Sequence, residues 1–395
     1  MTELKLIGRE NNLFDEDINR HGKELSRIVS SSSFLVVGGA GSIGRAVSKE
    51  IFRRGPRKLH IVDVSENNMV ELVRDLRSSN AENESEFRTF AIDCGSVEFD
   101  VLFSNQKTYD YVFNLSALKH VRSERDPFTL MRMINVNIFN TIKLAKLSNA
   151  GNAKNYFCVS TDKAANPVNM MGASKRIMEM FLMQQSLHQK VSMARFANVA
   201  FSDGSLLHGF VQRLNRKQPI TAPKDVERYF ITESEAGQLC LLAGLLGKNR
   251  DIFFPKLNSE LHLMKFSKIA ENFLRANGFE PHLCESEDEA RKMVKLIDKR
   301  REWPCYFFSS DTTGEKEVEE FFTTNEDIEY DVFQSIGVIK NQPNFDQKAL
   351  DSFNKGIDSI ASSKTWKKTD LVDLFRKTLP NFTHEEKEKN LDQKM

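Results

Sequence analysis

The chain has 395 residues, 40% of them hydrophobic, which is enough to bury a large core in one bilobal unit or in two domains. It carries 56 Lys and Arg against 55 Asp and Glu, a formal net charge of +1, which excludes a general attraction to nucleic acid or to anionic membranes. The five cysteines are scattered without a C-x-x-C pair, which argues against a disulfide framework and predicts no metal site.

The first 30 residues are charged throughout, so we predict an N-terminal helical extension at 1–30 rather than a signal peptide. Nowhere does the chain approach the roughly 18 consecutive apolar residues that a membrane span requires. We therefore expect no membrane insertion and a cytoplasmic location.

Residues 31–197 alternate short apolar runs with helical patterns. Strands are predicted at 34–37, 59–62, 87–92, 111–115, 155–159 and 191–195, and helices at 46–52, 69–76, 129–147 and 171–188. This alternation predicts the α/β class, with a doubly wound parallel sheet of the Rossmann type and helices on both faces.

The alternation weakens after residue 197. Short elements continue through 198–322, which we interpret as a smaller α/β lobe over the carboxyl edge of the sheet, partly interleaved with the first domain. Residues 323–395 form a charged, Lys-rich C-terminal extension with helical patterns at 348–360 and 369–379. The sequence leaves the role of this extension open.

A glycine-rich turn joins the first strand to the first helix of the alternating region. Gly38 provides the tight turn, Gly41 permits close approach of a ligand, and Gly44 lets the helix pack on the strand. Ser42 and Ile43 complete the turn. A turn of this kind places a pyrophosphate on the helix N-terminus, so we predict a dinucleotide site.

Acidic residues follow the second and third strands. Asp63 is placed to accept hydrogen bonds from a ribose 2′-hydroxyl, which favours NAD over NADP, and Asp93 is placed to contact the adenine. The basic residues Arg45, Arg53 and Arg54 leave NADP possible.

Three polar residues, Thr161, Asp162 and Lys163, end the fifth strand. Substrates bind at this edge of such a sheet, and a hydroxyl, an acid and an amine in succession can share proton transfers around one small molecule. The alternative is an ion pair within a loop between Asp162 and Lys163. These three residues alone do not decide between the two.

The surrounding string, STDKAANPVNMMGASKR from Ser160 to Arg176, closely resembles that of bacterial polysaccharide-biosynthesis dehydratases that act on UDP-N-acetylglucosamine. These belong to the extended short-chain dehydrogenases/reductases, whose glycine turn also has the spacing G-x-x-G-x-x-G. The resemblance spans about 33–322 and includes four further motifs, SALKHV from Ser116, RFANV from Arg195, RYFIT from Arg228 and SDTTGEK from Ser310.

The resemblance implies a UDP-N-acetylglucosamine 4,6-dehydratase with a tightly bound, recycled NAD(P). Such enzymes oxidise the sugar at C4, eliminate water across C5–C6 and return the hydride to C6. By match to the motif, Asp162 protonates the departing C6 hydroxyl, Lys163 removes the C5 proton and Thr161 hydrogen-bonds the C4 oxygen. A lysine base needs a lowered pKa, which a low-dielectric pocket and neighbouring Lys175 would supply.

The sequence departs from the superfamily at Met171, four residues before Lys175, where most members carry a tyrosine that accepts the C4 hydroxyl proton. A thioether cannot exchange a proton, and a methionine on a helix face is usually core. The same change is a feature of the long, membrane-anchored dehydratases of this family, which retain the C5 configuration. The resemblance therefore implies a retaining enzyme in which another group accepts the C4 proton and Lys175 hydrogen-bonds the nicotinamide ribose.

The remaining motif matches imply binding groups. Asn198 and Arg228 would hold the UDP diphosphate, for which an arginine fork is well suited. For His120, a structural role is an equal alternative. The implied cofactor residues outside the glycine turn are Ser116 and Ala117, and the implied UDP-sugar residues are Lys119, His120, Asn198, Ser205, Gln212 and Arg228.

Other functions stay open at this point. A C5-inverting dehydratase usually keeps the tyrosine, and a 4-epimerase would have no use for Asp162 and Lys163 because it eliminates nothing. Another nucleotide-sugar is possible as substrate. A non-catalytic NAD(P)-binding sensor would need only the glycine turn and Asp63.

The two long helical patterns at 129–147 and 171–188 carry apolar residues beyond one face. Met178, Phe181 and Leu182 are examples. In the superfamily that the motifs resemble, this pair of helices commonly forms a dimer interface. We therefore expect a homo-oligomer, since an apolar face left uncovered favours association.

Overall fold

The computed structural model describes residues 2–79, 84–106, 108–257, 263–297, 301–310 and 320–384. The sequence motif at 311–316 lies outside these residues. The strands are β1 Ser33–Val37, β2 Lys58–Asp63, β3 Glu86–Ala91, β4 Tyr111–Asn114, β5 Asn155–Thr161, β6 Val191–Phe196, β7 Asn198–Val199, β8 Ile220–Pro223, β9 Glu227–Ile231, β10 Ile252–Pro255, β11 Leu263–Lys265, β12 Glu280–Leu283, β13 Glu302–Phe308, β14 Asp327–Glu329 and β15 Ile336–Lys340.

The helices follow the predicted alternation. They are α1 Glu3–Leu6, α2 Asp15–Ser30, α3 Ser42–Phe52, α4 Glu66–Ser79, α5 Val97–Gln106, α6 Pro127–Ile134, α7 Asn140–Ala150, α8 Met170–Gln185, α9 Leu206–Asn215, α10 Glu233–Leu246, α11 Phe266–Ala276, α12 Glu287–Met293, α13 Gln347–Ser362 and α14 Lys368–Thr378. No helix of the described residues is both long and apolar enough to cross a bilayer.

The main sheet has nine strands in the order β14-β15-β10-β6-β5-β4-β1-β2-β3. The seven strands from β10 to β3 pair in parallel, whereas β15 joins β10 in the antiparallel direction. Strands β1, β4 and β6 are buried at every position, as expected for strands covered on both faces. The predicted doubly wound parallel sheet is confirmed.

The predicted helix at 129–147 is interrupted by one π-helical turn, Asn135–Phe139, between α6 and α7. Such turns insert an extra residue and redirect side chains, often at functional sites. Here the turn directs Asn137, which is fully buried, to the backbone of Leu118, at the carboxyl side of β4.

The second lobe is built on two three-stranded sheets, β11-β9-β7 and β12-β13-β8. Its separate core contains Phe210, Ile220, Phe273 and Trp303. Strand β10 lies between 198 and 322 but pairs with β6, so this part of the chain also contributes to the main sheet.

The N-terminal extension is fastened to the body by buried charged groups. Arg9 donates two hydrogen bonds of 2.6 Å to the carboxylate of Glu235, which also caps α10. Asp17 on α2 accepts the backbone N–H groups of Gln334 and Ser335, at 2.6 and 2.8 Å. The two terminal regions are therefore tied to each other.

The C-terminal extension contributes strands β14 and β15 to the main sheet, its helix α14 packs on α6 and α8, and its helix α13 packs on α14. Phe353 on α13 is fully buried and contacts the rings of Phe139 and Phe181.

This packing corrects the argument for an oligomer. Met178, Phe181 and Leu182 are at most 2% exposed within a single chain, because the protein's own core and C-terminal helices cover them. The apolar surface that motivated the prediction is not available, and the oligomeric state itself stays a prediction.

Candidate active site

The glycine turn lies at the carboxyl end of β1, next to the carboxyl end of β4. Gly38 has a φ of 73°, and a Cβ added there would lie 2.5 Å from the Ser116 nitrogen. A Cβ on Gly44 would lie 2.0 Å from the Gly38 oxygen, whereas at Gly41 the nearest atom is 3.7 Å away. Gly38 and Gly44 are thus required by the fold itself, and Gly41 leaves open space for a ligand.

Asp63 ends β2 beside this turn. Its carboxylate accepts the backbone N–H of Ala40 and of Ser65, each at 2.9 Å. Asp93 follows β3, is exposed, and accepts the N–H of Gly95 at 2.7 Å. Both acids are therefore held by backbone groups near the carboxyl edge of the sheet, with oxygens that can accept further hydrogen bonds.

Thr161, Asp162 and Lys163 form a compact group at the end of β5. Asp162 is 1% exposed, and its Oδ1 accepts the Thr161 hydroxyl at 2.8 Å and the Lys163 N–H at 2.8 Å. The Lys163 ammonium lies 3.1 Å from the same oxygen. Oδ2 of Asp162 is buried and has no hydrogen-bond partner among the described residues.

Helix α8 is fitted closely against this group. The Asn169 side chain caps the helix by accepting the Gly172 N–H at 2.8 Å. A Cβ on Gly172 would lie 2.4 Å from the Lys163 oxygen, so glycine is needed where the helix begins. Met171, at the tyrosine position, is 4% exposed, and its N–H donates to a carboxylate oxygen of Glu124 at 3.2 Å.

Lys175 lies one turn further along α8 and is 3% exposed. Its ammonium donates to the Val159 oxygen at 3.0 Å, which fastens α8 to β5. Burial lowers the pKa of Lys175, and the nearby acidic groups Cys158 and Glu179 only partly oppose this shift.

The loop after β4 connects the two lobes. The Ser116 hydroxyl donates a hydrogen bond to the side-chain oxygen of Asn114. The side-chain amide of Asn137 accepts the backbone N–H of Leu118 and donates to the backbone oxygen of Leu118. Ala117 lies between them, half-buried.

The next two residues of this loop face the second lobe. The Lys119 ammonium donates to the Ser202 hydroxyl at 3.2 Å. His120 lies against Gly204, where a Cβ would be 2.7 Å from its Nε2. Burial, followed by the charges of Lys119 and Arg122, lowers the pKa of His120.

The same segment of the second lobe reaches the glycine turn. The Asp203 N–H donates to the Ser42 hydroxyl at 2.9 Å, and Ile43 beside it is half-buried. Residues 202–204 therefore lie between the glycine turn and the loop that carries His120.

The predicted diphosphate residues lie on neighbouring strands, Asn198 on β7 and Arg228 on β9. Arg228 is 4% exposed and Asn198 is half-buried. Ser205 is the N-cap of α9, and its hydroxyl accepts the backbone N–H of His208 at 3.1 Å. The side chain of Gln212 lies within hydrogen-bonding distance of the His208 imidazole. The hydroxyl of Ser205 is thus already used in folding.

Sequence reasoning missed two groups that shape this region. Asn137 is an amide on the apolar face of a predicted helix, which is a usable signal for a polar contact in the core. Glu124 lies in a 3₁₀ turn, and its carboxylate accepts the N–H of Met171, which is 47 residues later in the chain. No local pattern indicates that contact.

One group of described side chains has atoms close enough to share a metal ion. Donor atoms of His282, Cys284 and Glu289 lie within 4.8 Å of one another, at the end of β12 and the start of α12. None of the motif residues lies on these elements, and the absence of a metal stays a prediction.

Residues 34–341, well over half of the chain, match the family described as polysaccharide biosynthesis protein. An uncharacterized membrane protein of Methanocaldococcus jannaschii, MJ1061, is 29% identical over 285 residues, 70% of this chain and 80% of that protein. The capsular polysaccharide biosynthesis protein CapD of Staphylococcus aureus is 28% identical over 343 residues, 85% of this chain and 52% of that protein. The chain thus spans about half the length of CapD.

Two solved structures share the architecture. Pen from Bacillus thuringiensis has a TM-score of 0.65 and 20% identity, covering 89% of this chain and 98% of that chain. The enzyme WbmF of Bordetella bronchiseptica, solved with NADH, has a TM-score of 0.52 and 17% identity, covering 65% of this chain and 80% of that chain. With the family match over the glycine turn and the Thr161–Lys163 group, the chain belongs to the polysaccharide biosynthesis protein family of extended short-chain dehydrogenases/reductases, which comprises nucleotide-sugar dehydratases and related enzymes.

Proposed function

We propose that the chain is a UDP-N-acetylglucosamine 4,6-dehydratase that retains the configuration at C5. Its product would be UDP-2-acetamido-2,6-dideoxy-α-D-xylo-hexos-4-ulose, for amino-deoxysugars of surface glycans. The observation that carries the proposal is the buried carboxyl group of Asp162, whose Oδ2 has no partner among the described residues. A group that protonates a departing hydroxyl needs a carboxyl oxygen that no other donor already occupies.

The glycine turn fits a dinucleotide. Gly41 leaves room for a pyrophosphate at the start of α3, and Asp63 keeps lone pairs for a ribose hydroxyl. WbmF, which shares the fold, was solved with NADH. Bound NAD would accept a hydride from sugar C4 and return it to C6.

The Thr161–Asp162 pair offers a replacement for the missing tyrosine. The Thr161 hydroxyl donates to Asp162, so the C4 hydroxyl proton can pass to Thr161 while the threonine proton passes to Asp162. Asp162 then holds the proton that the C6 hydroxyl needs to leave as water. One carboxyl group would serve first as base and then as acid, and the proton taken from C4 leaves in the water.

Lys163 would take the C5 proton and give it back on the same face, which retains the configuration. The Lys163 ammonium lies 3.1 Å from Asp162. Protonation of Asp162 therefore removes a negative charge that stabilises the ammonium, and the neutral amine of Lys163 becomes more favourable. Lys175, whose pKa burial lowers, lies along the same edge and would hydrogen-bond the nicotinamide ribose.

The second lobe would hold the nucleotide. Arg228 and Asn198 on adjacent strands would contact the diphosphate, while Lys119 and His120 would lie where cofactor and sugar meet. The lowered pKa of His120 favours a neutral imidazole at neutral pH, which can accept as well as donate a hydrogen bond.

The proposal is tested by NMR of the purified protein with UDP-N-acetylglucosamine in D₂O and no added cofactor. We expect a C6 methyl signal, a hydrated 4-ketone, deuterium at C5 and retained gluco-type stereochemistry. Inverted stereochemistry at C5 would support the inverting dehydratase instead. An unchanged substrate in the presence of bound dinucleotide would contradict the proposed substrate, and other nucleotide-sugars would then separate another substrate from a non-catalytic binder.

A further inference from the structure

A buried ion-pair network lies behind the Thr161–Lys163 group. Arg195 on β6 is fully buried, and its backbone pairs in register with Ser160 on β5. Two carboxylates flank its guanidinium, Glu179 from α8 and Glu326 from the C-terminal extension. We call Ser160, Glu179, Arg195 and Glu326 the Arg195 network.

All five N–H donors of Arg195 are used. Glu179 accepts two at 3.0 and 2.8 Å, Glu326 accepts two at 2.9 and 2.8 Å, and the Phe321 oxygen accepts the fifth at 2.8 Å. Two bidentate pairs on one guanidinium fix its position in the plane of both carboxylates.

The network continues from Arg195 to the end of β5. Glu179 accepts the Ser160 hydroxyl at 2.6 Å, and Ser160 directly precedes Thr161. Burial alone would raise the pKa of Glu179, but the guanidiniums of Arg195 and Arg176 lower it to about 2, so the carboxylate is charged at neutral pH. Helix α8 is thus fastened to β5 at two successive positions, by Lys175 at Val159 and by Glu179 at Ser160.

The C-terminal segment 320–326 is attached on both sides of the Thr161–Lys163 group. Glu320 accepts the Asn166 side-chain N–H at 2.7 Å, three residues after Lys163. Glu326 is held in place by the Thr323 N–H at 2.7 Å. A segment far away in the chain therefore supports the residues before and after this group.

We propose that Glu326 is a positioning residue for the reaction, acting through Arg195 and Glu179 to set the end of β5 where Thr161 and Asp162 do their chemistry. This inference rests on the proposed function for its kinetic part. It gives the C-terminal extension a role in the active enzyme, for which its sequence offers no motif.

The test replaces Glu326 with glutamine in the full-length protein. Glu326→Gln removes one of the two charges that hold Arg195 and places an amide group against its donors, so Arg195 moves toward Glu179. Because displacement of about 1 Å can cost about 100-fold in rate, we expect kcat on UDP-N-acetylglucosamine to fall by that order with KM changed less than about threefold. Amide hydrogen exchange at 159–163 should rise in the same variant.

Two further variants separate positioning from general stability. Glu329→Gln alters a half-exposed acid of the same extension, paired only loosely with Lys340 at 3.6 Å, and should leave both measurements unchanged. Glu326→Asp keeps the charge but shortens the side chain by one methylene, so it should give a smaller loss of rate and a smaller rise in exchange at 159–163 than Glu326→Gln. If Glu326→Gln does not fold, the shortened acid carries the test, because a rate and an exchange pattern that stay those of wild type would overturn the proposal.

The outcomes are distinct. A Glu326→Gln variant with a lower melting temperature but unchanged kcat and exchange at 159–163 would show a merely structural role. If wild type itself does not turn over UDP-N-acetylglucosamine, the proposed function fails, while hydrogen exchange still decides whether Glu326 controls the end of β5.

Discussion

At the scale of single residues, the two oxygens of Asp162 have different surroundings. Oδ1 accepts from Thr161 and from Lys163, whereas Oδ2 is buried without a partner among the described residues. Leaving a buried carboxyl oxygen unpaired costs stability. Met171, by contrast, is packed like any core methionine.

Asp162→Asn should preserve the shape of the group but remove its capacity to carry a proton. We expect the dehydration rate to fall by about 100- to 10,000-fold, the usual contribution of an acid–base group. The C6 methyl signal in NMR measures the rate. Asp346→Asn, at the N-cap of α13, is the matched control and should affect stability alone.

Lys163→Ala should block a different step. Oxidation at C4 does not need the amine, so reduced nicotinamide should accumulate on the protein while no deuterium enters C5. Absorbance of the nicotinamide and NMR in D₂O follow the two events. Deuterium uptake at the wild-type rate would assign the C5 base to another group.

At the scale of elements, the turn from β1 to α3 separates glycines needed for folding from a glycine needed for binding. An added Cβ meets backbone at 2.0 Å on Gly44 but only at 3.7 Å on Gly41. The spacing of the glycines in the sequence predicted these roles. The contacts of an added Cβ support the structural roles of Gly38 and Gly44 and the open space at Gly41.

We expect Gly41→Ala to melt like wild type but to lose NAD binding, because the methyl group occupies the space for the pyrophosphate. Gly44→Ala should lose both stability and binding, since overpacking against backbone costs about 1–3 kcal/mol or more. Gly209→Ala on α9, where nothing lies within 4 Å, should be neutral or stabilising by up to about 1 kcal/mol. Thermal melting and NADH fluorescence compare the three, and normal binding by Gly41→Ala would contradict the proposed contact.

Much of the element order was predictable because hydrophobic period and glycine spacing are local signals. The predicted α8 and the helices of the C-terminal extension lie within three residues of their observed bounds. The Arg195 network was not predictable, since Arg195 and Glu326 are 131 residues apart and only tertiary packing joins them. The exposure of Phe181 was misjudged for the same reason, because its cover, Phe353, comes from a distant helix.

At the scale of the whole molecule, buried and partly buried titratable groups set the response of folding stability to pH. Burial would raise the pKa of Asp110, but Lys154 and Ser33 lower it to about 2, and the pKa of Glu179 is also about 2. Burial lowers the pKa of His60, which hydrogen-bonds Tyr109 at 2.9 Å.

Stability should therefore fall in two stages on acidification. Below the ordinary histidine value of 6.5, the unfolded chain binds the proton that buried His60 resists, so stability begins to drop. Below the ordinary values of 4.5 for Glu179 and 3.8 for Asp110, their stabilisation is lost progressively toward about pH 2. For Glu179 the shift from 4.5 to about 2 corresponds to on the order of 3 kcal/mol.

Urea unfolding at several pH values between about 7 and 3 measures both stages. His60→Gln, which keeps hydrogen-bonding atoms but does not titrate, should reduce the first stage to the part that His120 contributes and leave the second. A wild-type free energy of unfolding that is flat down to about pH 5 would contradict the assignment to His60.

The two outer strands of the main sheet affect how readily copies of the protein associate at high concentration. At one edge β14 is only three residues long and presents Asp327 and Glu329 to solvent, and at the other edge β3 presents Glu86 and Arg88. Short or charged edge strands discourage a foreign strand from adding to the open backbone groups. Concentrated or newly synthesised protein should for this reason resist fibre formation through its sheet.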